Sequence, residues 1–322
     1  MREIGGYIEF EQFHNEMLHE SAIKLNCGRN CLAYLIKMRG ITSIALPYFL
    51  CESVKNICKK YNVNIRYYSL KDNLMPEDLV LKKDEWLYVV NYYGQIDSMQ
   101  VKGLSLRYEH IIVDYSQAYF DKPIDGVYSI YTCRKFFGVP DGAFLYTDSN
   151  LPEPIERDES FERMHFLLGR YERSASEFYN EYVANNQIFT SQPIKYMSKL
   201  TQNLLRSIDY DQVRMIRTEN YTYLASRFHD YNLLNIQKVE GAFAYPLMLK
   251  EAQEVRCHLI RNKVYIPVLW PNVINEVNEE SYEYQLANSI LPLPVDQRYR
   301  IEDMEYMVEL ICKVVWNRGG VL

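Results

Sequence analysis

Trp86-Leu87-Tyr88-Val89-Val90 and His110-Ile111-Ile112-Val113 are the runs on which the fold turns, and each ends on a polar residue, Asn91 and Asp114. A strand with one wet face alternates apolar and polar side chains. An unbroken apolar run instead marks a strand covered on both faces, the usual state of a parallel strand. Between the two lies a helix pattern from about Met99 to Tyr108. Working outward, the same rhythm continues in both directions. Upstream, a helix from Asn30 to Arg39 stops at Gly40, a strand Thr42 to Leu46 ends at Pro47, and a helix from Cys51 to Tyr61 precedes a strand Val63 to Tyr68. Pro76 is expected to open a short helix. Downstream, strands Val127 to Tyr131 and Ala143 to Tyr146 flank a glycine-containing loop. Strands and helices alternating in this way predict a mainly parallel sheet with helices on both faces.

From Pro152 to about His229 the pattern becomes helical and rich in Tyr, Arg and Glu. Beyond it come a strand (Ala242 to Leu249), a helix (Glu251 to Asn262), a strand (Val264 to Leu269) and a helix from about Arg300 to Trp316. The expected organisation is a large domain over residues 1–208 and a smaller α+β domain over 209–322.

A net charge of −6 and a pI near 5.7 leave no basic surplus to neutralise phosphates, so nucleic acid is not an expected partner. The short pairs Lys59-Lys60 and Lys82-Lys83 read as solvated faces. No stretch approaches the ~20 apolar residues of a membrane helix, and Met1 to Tyr7 lacks the apolar core of a secretory signal. The expectation is a cytoplasmic protein. Seven cysteines, an odd number without a C-x-x-C pair, and six scattered histidines read as core residues rather than as disulfides or a metal site.

Three groups carry possible chemistry. Asn26-Cys27-Gly28-Arg29-Asn30 precedes a helix and could offer backbone N–H groups to a phosphate, although it also reads as an ordinary helix cap. Asp114 closes an apolar strand, where a carboxylate can hold a cationic ring nitrogen or simply cap the following turn. Lys135 stands among aromatic and apolar residues, in Thr132-Cys133-Arg134-Lys135-Phe136-Phe137-Gly138-Val139-Pro140-Asp141-Gly142-Ala143. Burial would lower its pKa and make it a usable amine nucleophile, whereas a surface loop would leave it an ordinary lysine.

Taken in order, Val89-Val90-Asn91-Tyr92-Tyr93-Gly94-Gln95, then Ile112-Val113-Asp114-Tyr115-Ser116-Gln117-Ala118, then Lys135 followed by Asp141-Gly142-Ala143, resemble the DegT-like sugar aminotransferases. Leu46-Pro47-Tyr48-Phe49 resembles that family's segment bearing an aromatic that stacks on the cofactor. Tyr265-Ile266-Pro267 and Leu291-Pro292-Leu293-Pro294 resemble the closing strands of its small domain. The resemblance implies the aspartate-aminotransferase-like fold (fold type I), pyridoxal 5'-phosphate as cofactor and a homodimer. It implies transfer of an amino group from an amino acid, glutamate by preference, to a keto sugar, nucleotide-linked, in cell-surface polysaccharide or related sugar biosynthesis.

Carried over by position, the resemblance makes Lys135 the residue that bonds the cofactor and shuttles the proton. Asp114 would pair with the ring nitrogen and Gln117 would lie beside the ring. Gly28, Arg29 and Asn30 would hold the phosphate with Thr132 as a hydroxyl donor. Tyr48 or Phe49 would stack on the ring, and Asn91 would reach its phenolic oxygen. The chain departs from the family in three places: Ile130-Tyr131-Thr132 stand for Ser-Phe-His, Asn91 stands for histidine, and Leu168-Gly169-Arg170-Tyr171-Glu172-Arg173 occupies the region of a G-x-N-x-R-M segment. A sugar dehydratase is disfavoured by the presence of Lys135, since relatives of that kind carry histidine there. The competing class is a family member that binds cofactor or sugar nucleotide without turnover.

Overall fold

The computed structural model describes residues 4–315. Seven strands form the main sheet: β1 (Ile23–Leu25), β2 (Ser43–Pro47), β3 (Asn64–Tyr68), β4 (Trp86–Val90), β5 (Ile111–Asp114), β6 (Tyr128–Thr132) and β7 (Ala143–Tyr146). Their spatial order is β1-β7-β6-β5-β4-β2-β3. All neighbouring pairs from β3 through β6 are parallel, and only β7 runs against them, pairing β6 on one side and β1 on the other. The sheet order reverses between β2 and β4. In open sheets of this kind a crevice forms beyond the carboxyl ends of the strands at such a reversal. Every residue of β4 and β5 is buried, as the unbroken apolar runs require.

Eleven α-helices are defined among the described residues. In chain order they are α1 (Gly28–Arg39), α2 (Glu52–Lys60), α3 (Ser98–Arg107), α4 (His165–Glu172), α5 (Tyr179–Ser191), α6 (Lys199–Leu205), α7 (Tyr210–Phe228), α8 (Ala252–Arg261), α9 (Pro271–Glu276), α10 (Tyr282–Ser289) and α11 (Ile301–Val315). Helix α1 ends at Gly40, whose left-handed φ of 60° lets its N–H close on the Ile36 carbonyl. Asp97 and Gln100 cap α3 reciprocally. A second sheet pairs β8 (Ala244–Met248) antiparallel with β9 (Ile290–Pro294), against which α7 and α8 pack, with α11 packed on those two helices. Two apolar cores result, one around the large sheet and one around β8, β9 and these helices. No helix among the described residues is long and apolar enough to cross a membrane.

The expected helix at Pro76 is absent. Leu70 bridges Pro76, the Glu77 N–H reaches the Ser69 carbonyl, and the Val80 carbonyl accepts from Arg66. The segment's polar backbone is satisfied by tertiary partners, and a helix is not needed. The expected strand Val264 to Leu269 is also absent. Its first N–H returns to the end of α8 at Leu259, and Pro267 has no N–H to give a ladder. Of the two segments likened to closing strands, 291–294 lies in β9 and 265–267 is irregular. The final helix begins as expected, while Trp316, like Met1 to Glu3 at the other end, lies outside the described residues.

Candidate active site

The polar ends of β5 and β6 and the first turn of α1 meet above the sheet. Asp114, the last residue of β5, is 8% exposed. Its Oδ2 accepts from the Tyr88 hydroxyl at 2.7 Å, and its Oδ1 accepts from the Ser116 N–H at 2.7 Å. Burial and the neighbouring carboxylate hold the Tyr88 phenol well above its ordinary pKa, so it stays protonated and donates. Tyr88 lies on β4 opposite Ile112 of β5, and from there its ring reaches the strand end.

Lys135 follows β6 on a short loop. Its Nζ donates to Ser116 Oγ at 3.0 Å and lies 5.6 Å from the centroid of the Phe243 ring. The side chain is accessible to solvent, yet protein surrounds it on all sides. That is the situation of a group lining a cleft. Its amine is poorly hydrated and held below the usual lysine range, an effect partly offset by the nearby Asp114 carboxylate and the Cys51 thiol.

Helix α1 starts two residues earlier than its apolar pattern suggests, so Gly28, Arg29 and Asn30 form its first turn. The capping residue Cys27 contributes no side-chain hydrogen bond. Asn30 is spent inside the fold: its N–H meets the Cys27 carbonyl, and its amide bonds Asn26 and the Pro193 carbonyl. Neither group is free for a phosphate, which corrects the expectation for this residue. Gly28 sits directly over Thr132, where a Cβ would come within 2.7 Å of the threonine methyl. The Thr132 hydroxyl is buried without a hydrogen-bond partner. Beside it, Arg29 donates to the Asn186 carbonyl and Arg134 to the Asn186 side chain, with Arg134 also over the Phe189 ring. The two guanidinium groups repel each other, and α5 holds both in place.

The remaining expected residues have other tasks. Asn91 is fully buried, its amide donating to the Ile96 carbonyl and to Asp121 while its oxygen accepts the Ile96 N–H. It is not presented to the cleft. Gln117 accepts the N–H of Tyr93, which has a φ of 54°, and so fixes the turn after β4. Phe49 is buried against Tyr92 and Trp270, and Tyr48 stacks on Tyr67 at 5.1 Å. Neither ring is seen against Asp114 or Lys135. Sequence reasoning did not single out Ser116, Tyr88, Arg134, Cys51 or Phe243. Ser116 and Arg134 adjoin motif residues, but Phe243 comes from the segment just before β8, more than 100 residues along the chain, and nothing local announces it.

No family model and no curated protein sequence matches the chain. Solved structures do. The sugar aminotransferase CalS13 from Micromonospora echinospora is 13% identical, with a TM-score of 0.62 over 92% of this chain and 88% of that one. A DegT DnrJ EryC1 StrS aminotransferase from Brucella abortus is 11% identical, with a TM-score of 0.62 over 91% of this chain and 85% of that one. NtdA from Bacillus subtilis, solved with bound PMP, is 11% identical, with a TM-score of 0.64 over 91% of this chain and 73% of that one. At such identities the likeness establishes the fold. The chain has the aspartate-aminotransferase-like fold of pyridoxal-phosphate-dependent enzymes, a mainly parallel sheet between helices joined to a smaller α+β unit.

Proposed function

We propose that this chain is a pyridoxal-phosphate-dependent aminotransferase that moves an amino group from an amino acid, glutamate by preference, to a nucleotide-linked keto sugar. The observation that carries the reading is the hydrogen-bonded link from Lys135 through Ser116 to Asp114 at the carboxyl ends of the strands. Among the solved structures that share the fold, CalS13 is a sugar aminotransferase and the Brucella abortus protein an aminotransferase, which supports the same class.

The residues present fit the cofactor. Thr132 offers a buried hydroxyl that lacks a partner, and Gly28 lets the first turn of α1 pack so closely over it that a Cβ would meet the threonine methyl. The Gly28 and Arg29 N–H groups at the positive end of α1, with the Arg29 and Arg134 guanidinium groups nearby, suit a phosphate. Asp114 would hold a proton on the ring nitrogen, and Lys135 would anchor the aldehyde carbon. When bound, the group supplies an aldehyde that captures an amine and a cationic ring that draws off electrons.

The chain's own residues do the rest. Desolvation holds the Lys135 amine below the usual lysine range, which favours its acting as the base that takes a proton from the donor carbon and returns it. The Tyr88 hydroxyl and the Ser116 N–H hold the buried Asp114 carboxylate in place beside that proton path. Phe243 covers the lysine with an apolar face that limits water. We read the division into 1–208 and 209–322 in the same way: the second apolar core is built wholly from residues after 208, while the first also takes in later residues such as Val273 and Leu286.

The test is spectroscopic. Protein loaded with pyridoxal phosphate should be yellow, and borohydride should fix the pigment on Lys135 by peptide mapping. In a separate, unreduced sample, glutamate alone should bleach the band, and a keto-sugar nucleotide should restore it. Fixation on another lysine discards the site. A bound pigment that no amino donor shifts leaves a binder without turnover.

A further inference from the structure

We propose that Ser116 is the positioning residue for Lys135: its hydroxyl holds the lysine amine beside Asp114 whenever that amine is not bonded to cofactor. This rests on the cofactor reading above. The lysine meets a neutral hydroxyl at 3.0 Å and not the carboxylate, both of whose oxygens already accept hydrogen bonds, from Tyr88 and from the Ser116 backbone. Ser116 is itself 6% exposed, and the Asp114 bond to its N–H sets where its side chain can stand.

The arrangement separates two roles that would otherwise interfere. A direct lysine–carboxylate ion pair would raise the amine's pKa and occupy the oxygens that a ring nitrogen needs. A hydroxyl relay restrains a side chain with four rotatable bonds, whose freedom would otherwise be lost at each return to the reacting carbon, while adding no charge. The groups facing Nζ from the neighbouring elements are the Asp114 carboxylate from β5, the Cys51 thiol from the start of α2 and the Phe243 ring from the segment before β8. Arg134, next in the chain, points away to Asn186. Ser116 is thus the hydroxyl that the amine meets.

The experiment uses the full chain without cofactor. The pH dependence of Lys135 acetylation by acetic anhydride is followed by peptide mass spectrometry, which reads the amine's midpoint directly. A hydroxyl that accepts from the ammonium favours the charged form, so removing it lowers the midpoint. Ser116→Ala and Ser116→Gly, each checked for folding by circular dichroism, should move it down by about one unit, and Ser116→Thr should stay near the wild type. An unchanged midpoint in both hydroxyl-free variants overturns the proposal, as does a Thr variant that shifts as far as Ala. Failure of the wild-type chain to take up pyridoxal phosphate is a separate result and would remove the aminotransferase reading on its own.

Discussion

Asp114 receives hydrogen bonds from the Tyr88 hydroxyl and the Ser116 N–H before any ligand arrives. A carboxylate so held is fixed in orientation, which is what pairing with a protonated ring nitrogen demands. Asp114→Asn keeps the shape and an acceptor oxygen but loses the charge. The expected outcome is a variant that still binds the yellow cofactor but processes glutamate far more slowly. The loss corresponds to about 2–5 kcal/mol, measured as the half-reaction rate in stopped flow. Near-normal rates would reduce Asp114 to a residue that shapes its turn. At this scale the sequence was informative wherever a residue type is unusual in its setting. A lysine among phenylalanines and an aspartate at the end of an apolar strand stand out. Tyr88 does not, because a tyrosine inside an apolar strand looks like any core aromatic until its hydroxyl is seen to reach β5.

The turn after β4 shows how a motif that suggests chemistry can be structural. Asn91 ties both sides of its amide to Ile96 and reaches Asp121. Gly94 lies so close to Val239 that a Cβ would approach within 2.8 Å, and Gln95 exchanges two hydrogen bonds with the Gln237 backbone. Asp141 likewise accepts from Ser198 and Thr201 and fixes the start of α6, and Gly142 turns the chain with a φ of 117°. These residues build the frame that Asp114 and Lys135 use. Burial raises the Asp121 carboxyl from 3.8 to about 7, with the Asn91 amide opposing the shift. Because the folded value is the higher one, the contribution to stability is complete below the unfolded value and is lost as pH rises through about 7. Asp121→Asn should therefore gain on the wild type between pH 4 and 7, read from urea midpoints at each pH. A difference that stays flat across that range would mean the carboxyl is not desolvated. The elements misread from sequence, the helix at Pro76 and the strand at Val264, are segments whose backbone is satisfied from elsewhere in the chain, which periodicity does not register.

For the whole molecule we propose a homodimer, and several apolar side chains stand exposed around α4 and α5, among them Leu168 at 56% and Tyr171 at 91%. Sedimentation should give twice the 38.3 kDa chain mass, and a stable monomer that turns over substrate would remove the dimer from the account. What the sequence determined by itself was the layered α/β architecture, the strand end that bears Asp114 and the loop after β6 that bears Lys135. These follow from local pattern: apolar runs need covering on two faces, and polar residues that end such runs collect at one edge of a parallel sheet. What only the tertiary structure decided was which motif residues face the cleft. Asn91, Asn30 and Gln117 carry polar groups that could serve a ligand as well as a loop. The choice depends on distant partners such as Asp121, Pro193 and Tyr93, because a buried amide must satisfy its hydrogen bonds with whatever the fold brings beside it.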